Sequence, residues 1–537
     1  MEASEGLEIE KKYDVDAGAT VPALEHAPGV ARVGKPHTDV LEAVYFDTDR
    51  HTLAARRITL RRRTGGKDAG WRLLLPPLAA APDEVPQRRE LHAPLGRPDV
   101  VPDSLLTYLQ AYLRGAVPAP VVRLETRRTT HPLYGDDGVH LADLADDEVT
   151  AERLDGGNRP DGQRNAGPGE DRRQQWREWE LELVHGEPGL FAPVEELLMA
   201  AGARPAAHAS KLARALGGGK ASRKRAAEGP ADAGAESSRP LLAGKRAPAA
   251  AVVTVYVAAQ LDEILANDAG ARLEDAEAVH NMRSAARRIR SVLAAYAKLY
   301  RASPVRRLRD ELQWLGRVLG EPRDAHVLRE DLRGQLGGLP PGEGAAAAAE
   351  RVERRTGEDF DAAYRLLQDA LGSGRYFRLL DKLEDFRDNP PVRADAVKSG
   401  QRAAAKAVDK SAKRLRRSQK AARDARRGAD QERALHQVRK DAKRLRHVAE
   451  TAALIRGKRA GKVAKAARRQ QKILGGFQDA VVARTLLADI AAEHAEPATA
   501  AVYAGLLDRQ EERMLSAQAK YRKARKKSRG LLRSGVL

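Results

Sequence analysis

The stretch Val279-His280-x-x-Arg283-x-x-x-Arg287-Arg288-x-Arg290 recurs later in the chain as Leu435-His436-x-x-Arg439-x-x-x-Lys443-Arg444-x-Arg446. At about 100° per helical residue, His280, Arg283, Arg287 and Arg290 share roughly one 80° arc, and His436, Arg439, Lys443 and Arg446 do the same. Val279, Met282, Ala286, Ile289 and Leu293 form an adjacent apolar stripe. Each copy therefore reads as a helix that packs on one side and offers a cationic strip on another. A single basic stripe is most often a solvated or nucleic-acid-facing surface. A duplicated one, with its histidine in the same place, favours a specific anion.

The duplication extends downstream, where Leu319-Gly320-x-x-x-Asp324-Ala325 is matched by Leu474-Gly475-x-x-x-Asp479-Ala480. Two matched blocks in order mark an internal repeat. The pair resembles the CHAD domain, a helical domain of two similar four-helix halves that binds inorganic polyphosphate. The resemblance implies polyphosphate contacts from His280, Arg283, Arg287, Arg288, Arg290, His436, Arg439, Lys443, Arg444 and Arg446. Neither histidine has a second histidine or acid at ligand spacing on its face, which argues against zinc. An anion contact that strengthens on protonation is the better reading.

The chain has 537 residues, enough for two or more domains. It contains no cysteine, so disulfides, thiolate metal sites and cysteine nucleophiles are excluded. No apolar run follows the acidic N-terminus, and no stretch reads as a spanning segment of about 18 apolar residues, so a cytoplasmic protein without membrane insertion is expected; the resemblance to the CHAD domain implies association with polyphosphate granules. The formal charge is +20, and residues 401–470 alone hold 24 Lys or Arg against 6 Asp or Glu. Such a field strengthens binding of any polyanion by counterion release. The basic helices within 401–450 carry no aromatic residue, so the stacking platforms of single-strand binders are missing and nucleic acid is the less favoured partner. The copy around His436 lies in this segment and is expected to make the stronger anion contact.

Residues 1–216 are the first expected domain, and within it residues 5–215 alternate short strand-like runs with Gly and Pro breaks, among them Leu7–Glu10, Ala43–Phe46, Ile58–Arg61, Trp71–Leu75 and Glu178–Leu183. Val101–Leu113 and Pro193–Ala201 carry helical spacing, and residues 155–175 read as a long surface loop. Residues 217–248 form a flexible linker of Gly, Ala, Ser, Pro and charge, and residues 249–537 are helical, with breaks at Gly337–Gly344 and Asn389–Pro391. Lys520–Arg529 reads as a frayed C-terminal helix. The fold expected is α+β in two domains.

Glu8-x-Glu10-x-Lys12 places three charged groups on one strand face, Glu178-x-Glu180-x-Glu182 places three carboxylates, and Arg61-x-Arg63 two guanidinium groups. Each alone is usually the wet face of a strand. Together, carboxylates alternating in a shared enclosure need a cation to stay ionised, which suits Mg²⁺ or Mn²⁺, and facing arginines would hold phosphate oxygens. The ordered set Glu8–Lys12, Tyr45–Thr48, Leu60–Arg63, the Trp71 strand, Arg88-Arg89-Glu90, Thr126–Arg128, Glu180–Leu183 and Ser210–Leu212 resembles the CYTH family of triphosphate tunnel metalloenzymes. That resemblance implies an eight-stranded antiparallel β tunnel with flanking helices, binding a triphosphate and a divalent metal. It assigns metal binding to Glu8, Glu10, Glu180 and Glu182, with Glu90 and either Asp146 or Asp147 as further interior acids. Phosphate binding falls to Lys12, Arg61, Arg63, Arg128 and Lys211, and the catalytic set is Glu8, Glu10 and Lys12. Where family members carry a lysine this chain has Leu74, with Arg72 on the same strand face to supply a charge. Metal-dependent hydrolysis of inorganic tripolyphosphate is the expected activity, weakened by Leu74. Other short triphosphates are alternative substrates, and a non-catalytic polyphosphate-binding scaffold is the alternative function.

Overall fold

The computed structural model describes residues 4–66, 69–76, 88–154, 173–208, 210–217, 248–340, 342–393, 400–493 and 496–532. Its contacts divide the chain into two units, Met1–Gly234 and Ala235–Leu537. The expected linker, apart from its end residues, and the expected loop as far as residue 172 lie outside the described residues.

The first unit is an antiparallel sheet of β1 (Ser4–Glu8), β2 (Glu10–Val15), β3 (Arg32–Val33), β4 (His37–Asp47), β5 (Thr59–Thr64), β6 (Gly70–Leu74), β7 (Arg88–Ala93), β8 (Ala119–Tyr134), β9 (His140–Arg153), β10 (Arg173–Leu183) and β11 (Arg204–Pro205). The order is β1-β7-β6-β5-β4-β8-β9-β10-β2-β11, with β3 on β8. Only Ile9 separates β1 from β2. The N-terminal strand thus pairs with β7 through its first half and with β10 through its second, so the sheet begins and ends on one strand and closes. Counting that strand once and setting aside the two-residue β3 and β11 leaves an eight-stranded barrel.

Ile9 packs against the outer core with Tyr13 and Trp179, and its carbonyl accepts from the Leu183 N–H, so the strand runs on from β1 into β2. Strands of a closed barrel are staggered, so the two edges of the closing strand are offset along its length. The side chain of Glu8 lies outside the described part of the structure.

Alternation along β10 explains how a charged interior forms. Trp179 and Leu181 turn outward with Tyr13 of β2 and pack against Phe191, Val194 and Leu198 of α2 (Phe191–Ala200). Glu178, Glu180 and Glu182 are thereby turned inward. The unit also contains α1 (Asp103–Leu113) and α3 (Lys211–Ala215), the latter capped by the Ser210 hydroxyl accepting from the Ala213 N–H at 3.1 Å.

The second unit is helical: α4 (Ala249–Arg272), α5 (Ala276–Ala295), α6 (Ala302–Val318), α7 (Gly320–Gly337), α8 (Glu343–Gly372), α9 (Gly374–Asp388), α10 (Gly400–Asp424), α11 (Ala429–Arg456), α12 (Lys458–Glu493) and α13 (Pro497–Ser528). The twin basic stretches are α5 and α11. The first copy of the Leu-Gly block separates α6 from α7, whereas the second lies within the continuous α12. Two expectations are corrected. By length and composition α4 is apolar enough to cross a membrane, and here half of that stretch is buried, with Val253, Val257, Leu261 and Ile264 in the helical core. Lys520–Arg529 is not frayed: up to Ser528 it is the end of α13, and Tyr521, Ala524 and Ser528 are buried there.

Candidate functional site

Register sets the chemistry of the barrel interior. Lys12 faces Glu180 across β2 and β10, Glu10 faces Glu182, and Arg128 of β8 faces Asp147 of β9, which in turn faces Glu178. The cavity is lined by seven cations, Lys12, Arg61, Arg63, Arg72, Arg88, Arg128 and Lys211, and by Glu10, Glu180 and Glu182. Leu74, Tyr45, Thr59 and Ser210 complete the lining. Seven cations on the wall of a closed barrel concentrate positive potential there, which the interior carboxylates offset in part.

Lys211, carried in from α3, is 2.9 Å from Asp147 and 2.7 Å from both Glu178 and Glu180, and all four residues are buried. Arg128 donates to both oxygens of Asp147 at 2.8 and 2.6 Å and to Glu180 at 2.5 Å. Lys12 bonds Glu10 at 2.9 Å and also Glu180. Burial opposes the charge on Glu180, but Lys12, Lys211 and Arg128 hold its carboxyl well below the ordinary range. Asp147 is likewise held down against burial by Lys211 and Arg128. Glu182 behaves oppositely: burial, together with the charges of Glu10 and Glu180, pushes it up to about 7.

The structure separates the two aspartates that the sequence left open. Asp147 is interior, while Asp146 lies on the other face of β9, gripped by Arg177 at 2.8 and 2.6 Å; as an interior metal ligand Asp146 is therefore a correction. Successive residues of a strand point to opposite faces, so only one of the two can enter the cavity. Leu74 does occupy the interior, and Arg72 shares its face but donates to Glu90 at 2.9 Å. Sequence reasoning passed over Arg88 as a lining cation and Glu178 as a member of the acidic group; the Arg88-Arg89-Glu90 motif and the Glu178-x-Glu180 alternation were the available signals.

Asp147, Glu178 and Glu180 present oxygens within 4.8 Å of one another, a group that could hold a metal ion. The Lys211 ammonium contacts all three, so this group already has an internal cation. The carboxylates of Glu10, Glu180 and Glu182 also line the cavity, but among the described residues the oxygens grouped closely enough for one hard divalent ion are those of Asp147, Glu178 and Glu180.

In the helical unit the two cationic strips converge. A groove of about 390 Å³ is lined by Arg287 and Arg290 of α5 and by His436, Arg439, Lys440, Lys443 and Arg444 of α11. Arg309 of α6 and Arg414 of α10, which the repeat did not single out, join them. The second copy thus supplies most of the wall. His280, Arg283, Arg288 and Arg446 do not line the groove: Arg283 pairs with Asp324 at 2.6 and 2.8 Å, Arg288 bonds Gln260 at 3.1 Å and Arg446 bonds Glu450 at 2.7 Å.

These contacts explain the second repeated block. A Cβ at Gly320 would stand 3.3 Å from the Arg283 guanidinium, so glycine lets Arg283 reach Asp324. In the second copy Asp479 acts electrostatically on Arg439 and Gln478 bonds the His436 ring at 2.7 Å. Burial and the neighbouring cations push His280 and His436 below the ordinary histidine value. Lys443 is pushed down to about 5 by burial and by Arg287, Arg439 and Arg283. Arg287 is pushed to about 9 by burial and by Arg283 and Arg439, and stays charged at neutral pH. The groove thus concentrates positive charge that its own carboxylates do not offset.

The CHAD domain family matches this chain over residues 255–488. An uncharacterised protein of Mycobacterium tuberculosis strain CDC 1551 / Oshkosh is 38% identical over 489 residues, 89% of this chain and 87% of that protein. Among solved structures, PptA from Streptomyces chartreusis is similar with 23% identity and a TM-score of 0.45, over 52% of this chain and 99% of its own. A putative adenylate cyclase from Bacillus halodurans is similar with 16% identity and a TM-score of 0.24, over 39% of this chain and 97% of its own.

Proposed function

We propose, for a chain that belongs to the family of the mycobacterial protein and carries a CHAD domain, that the barrel hydrolyses a triphosphate, inorganic tripolyphosphate first, and that the helical groove binds inorganic polyphosphate. In this reading the barrel is a CYTH-type tunnel. The observation that carries it is the closed sheet that turns Lys12, Arg61, Arg63, Arg128 and Lys211 toward Glu10, Glu180 and Glu182 in one cavity.

Mechanistically, the entering triphosphate exchanges partners with the interior acids. Arg128, Lys12 and Lys211 shift their donors from Glu180 to phosphate oxygens, while Arg61 and Arg63 clamp the chain from the opposite wall. Glu10, Glu180 and Glu182 are the residues that would hold Mg²⁺ or Mn²⁺, which when bound neutralises charge on the phosphates. Glu182, raised to about 7 by burial and by the charges of Glu10 and Glu180, would give up its proton on holding the ion. No protein nucleophile is needed.

Phosphate release from tripolyphosphate, thiamine triphosphate, ATP and long polyphosphate tests the reading, with and without chelator. Tripolyphosphate should turn over fastest, and Glu10→Ala/Glu180→Ala should abolish turnover. The second reading, a binding tunnel without turnover, is favoured by Leu74 in the lining and by Arg72 engaged with Glu90. Triphosphate binding with no phosphate release would establish it.

A further inference from the structure

The duplicated scaffold contains an internal control for charge. On either side of the twin helices α5 and α11, α4 corresponds to α10, α6 to the first half of α12, and α8 to α13. The first members carry little positive charge: α4 has one Lys or Arg against three acids, α6 four against two and α8 four against seven. Their counterparts are strongly basic, with nine against two in α10, seven against none over residues 458–474 of α12, and eight against three in α13. The shared fold therefore does not require these cations. Acid-free cationic runs repel themselves and lower the stability of the compact state.

The runs meet at one end of the helical unit. Gln419 of α10 donates to Gln470 of α12 at 2.8 Å, and Gln470 donates to Ser528 of α13 at 2.8 Å; all three are buried. Around this polar tie, Arg417, Lys420, Arg469, Lys472, Lys527 and Arg529 are exposed. None of the six is ion-paired among the described residues, and none lines the groove between the twin helices.

We infer that this basic end binds double-stranded nucleic acid through its phosphate backbone, without reading bases. The groove gathers its cations into one concave site, whereas this end presents exposed cations outward on its helices. A thin flexible phosphate chain would follow only one such row, whereas a stiff duplex with a charge every ~1.7 Å engages several rows at once. Among the described residues of this end, Tyr521 is buried and presents no stacking platform for single-stranded bases. Contacts confined to phosphates fix position and carry no sequence preference.

The test is fluorescence anisotropy of a labelled 30-base-pair duplex with the full chain across 50–200 mM salt, alongside polyphosphate binding. Lys420→Glu/Lys472→Glu/Lys527→Glu should weaken duplex binding at least tenfold and reduce the salt slope by about three, as expected for three lost phosphate contacts. Polyphosphate affinity and the melting midpoint should stay unchanged. A second set, Arg417→Gln/Arg469→Gln/Arg529→Gln, should give the same loss without charge reversal. The inference is overturned if the duplex does not bind at 100 mM salt, or if both sets bind it like the parent. It is also overturned if the substitutions weaken polyphosphate as much as duplex, since the end would then extend the polyphosphate site.

Discussion

Lys443 should make the helical unit less stable and the groove a better anion site, so Lys443→Met is expected to separate the two. Its ammonium is pushed from 10.5 to about 5 by burial and by Arg287, Arg439 and Arg283. A lysine depressed on folding binds fewer protons in the native than in the unfolded state, so stability falls as pH drops from about 10.5 to about 5. At pH 7 the cost is roughly 3–5 kcal/mol. Removing the amine should raise the melting midpoint of the helical unit by on the order of 5–15 °C. Binding should change in the other sense. A polyphosphate in the groove returns the proton to Lys443, so affinity should tighten about tenfold per unit as pH falls from 8 to 6, with uptake of about one proton. His280 and His436 are both held below the ordinary histidine value, so Lys443→Met, which leaves them intact, measures the part of the slope that Lys443 supplies. Titration calorimetry in two buffers of different ionisation enthalpy measures the uptake directly, and thermal melts measure the stability. A Lys443→Met protein that melts below the parent, or polyphosphate binding at pH 7 with no proton uptake, refutes the reasoning.

In the tunnel, phosphate release at sub-saturating Mg²⁺ should fall about tenfold per pH unit below 7, because Glu182 sits at about 7 without the ion and must lose its proton to hold it; Glu182→Gln should flatten that limb and lower the rate at every pH. Leu74→Lys restores an ammonium to the lining beside Arg72, which Glu90 already engages, and steady-state kinetics should show a lower KM for tripolyphosphate. Arg128→Ala leaves the buried Asp147 with only Lys211, so chemical denaturation should report a loss of about 3–5 kcal/mol and turnover should disappear. Asp146→Asn, on the outer face with Arg177, should leave turnover near parent levels.

Much of the tunnel was legible because strand period is rigid. Once Glu178, Glu180 and Glu182 alternate with Trp179, Leu181 and Leu183, one face must be charged and the other buried, and Lys12 and Arg61 follow the same rule. Asp146 and Asp147 could not be separated this way, because adjacent residues each satisfy one face and the choice depends on which strand neighbours which. Glu178 was quoted with its strand but left out of the site, since nothing local tells how deep α3 carries Lys211 into the cavity. In the helical unit the repeat exposed α5 and α11, yet it assigned one anion strip to each copy. The resemblance implies a polyphosphate contact from Arg283, and the helix wheel cannot show that Asp324, on another helix, engages it.

The sequence by itself determined which residues could carry charge into each unit and that the helical unit is a repeat, because periodicity and duplication are properties of local order. Tertiary structure alone decided which charges remain available. Closure of the sheet through Ile9 enclosed seven cations with the carboxylates of Glu10, Asp147, Glu178, Glu180 and Glu182, and packing of α5 against α11 merged two strips into one groove. The physical reason is that pairing and desolvation act between residues far apart in the chain: they tie up Arg283 and Arg446, depress Lys443 and raise Glu182.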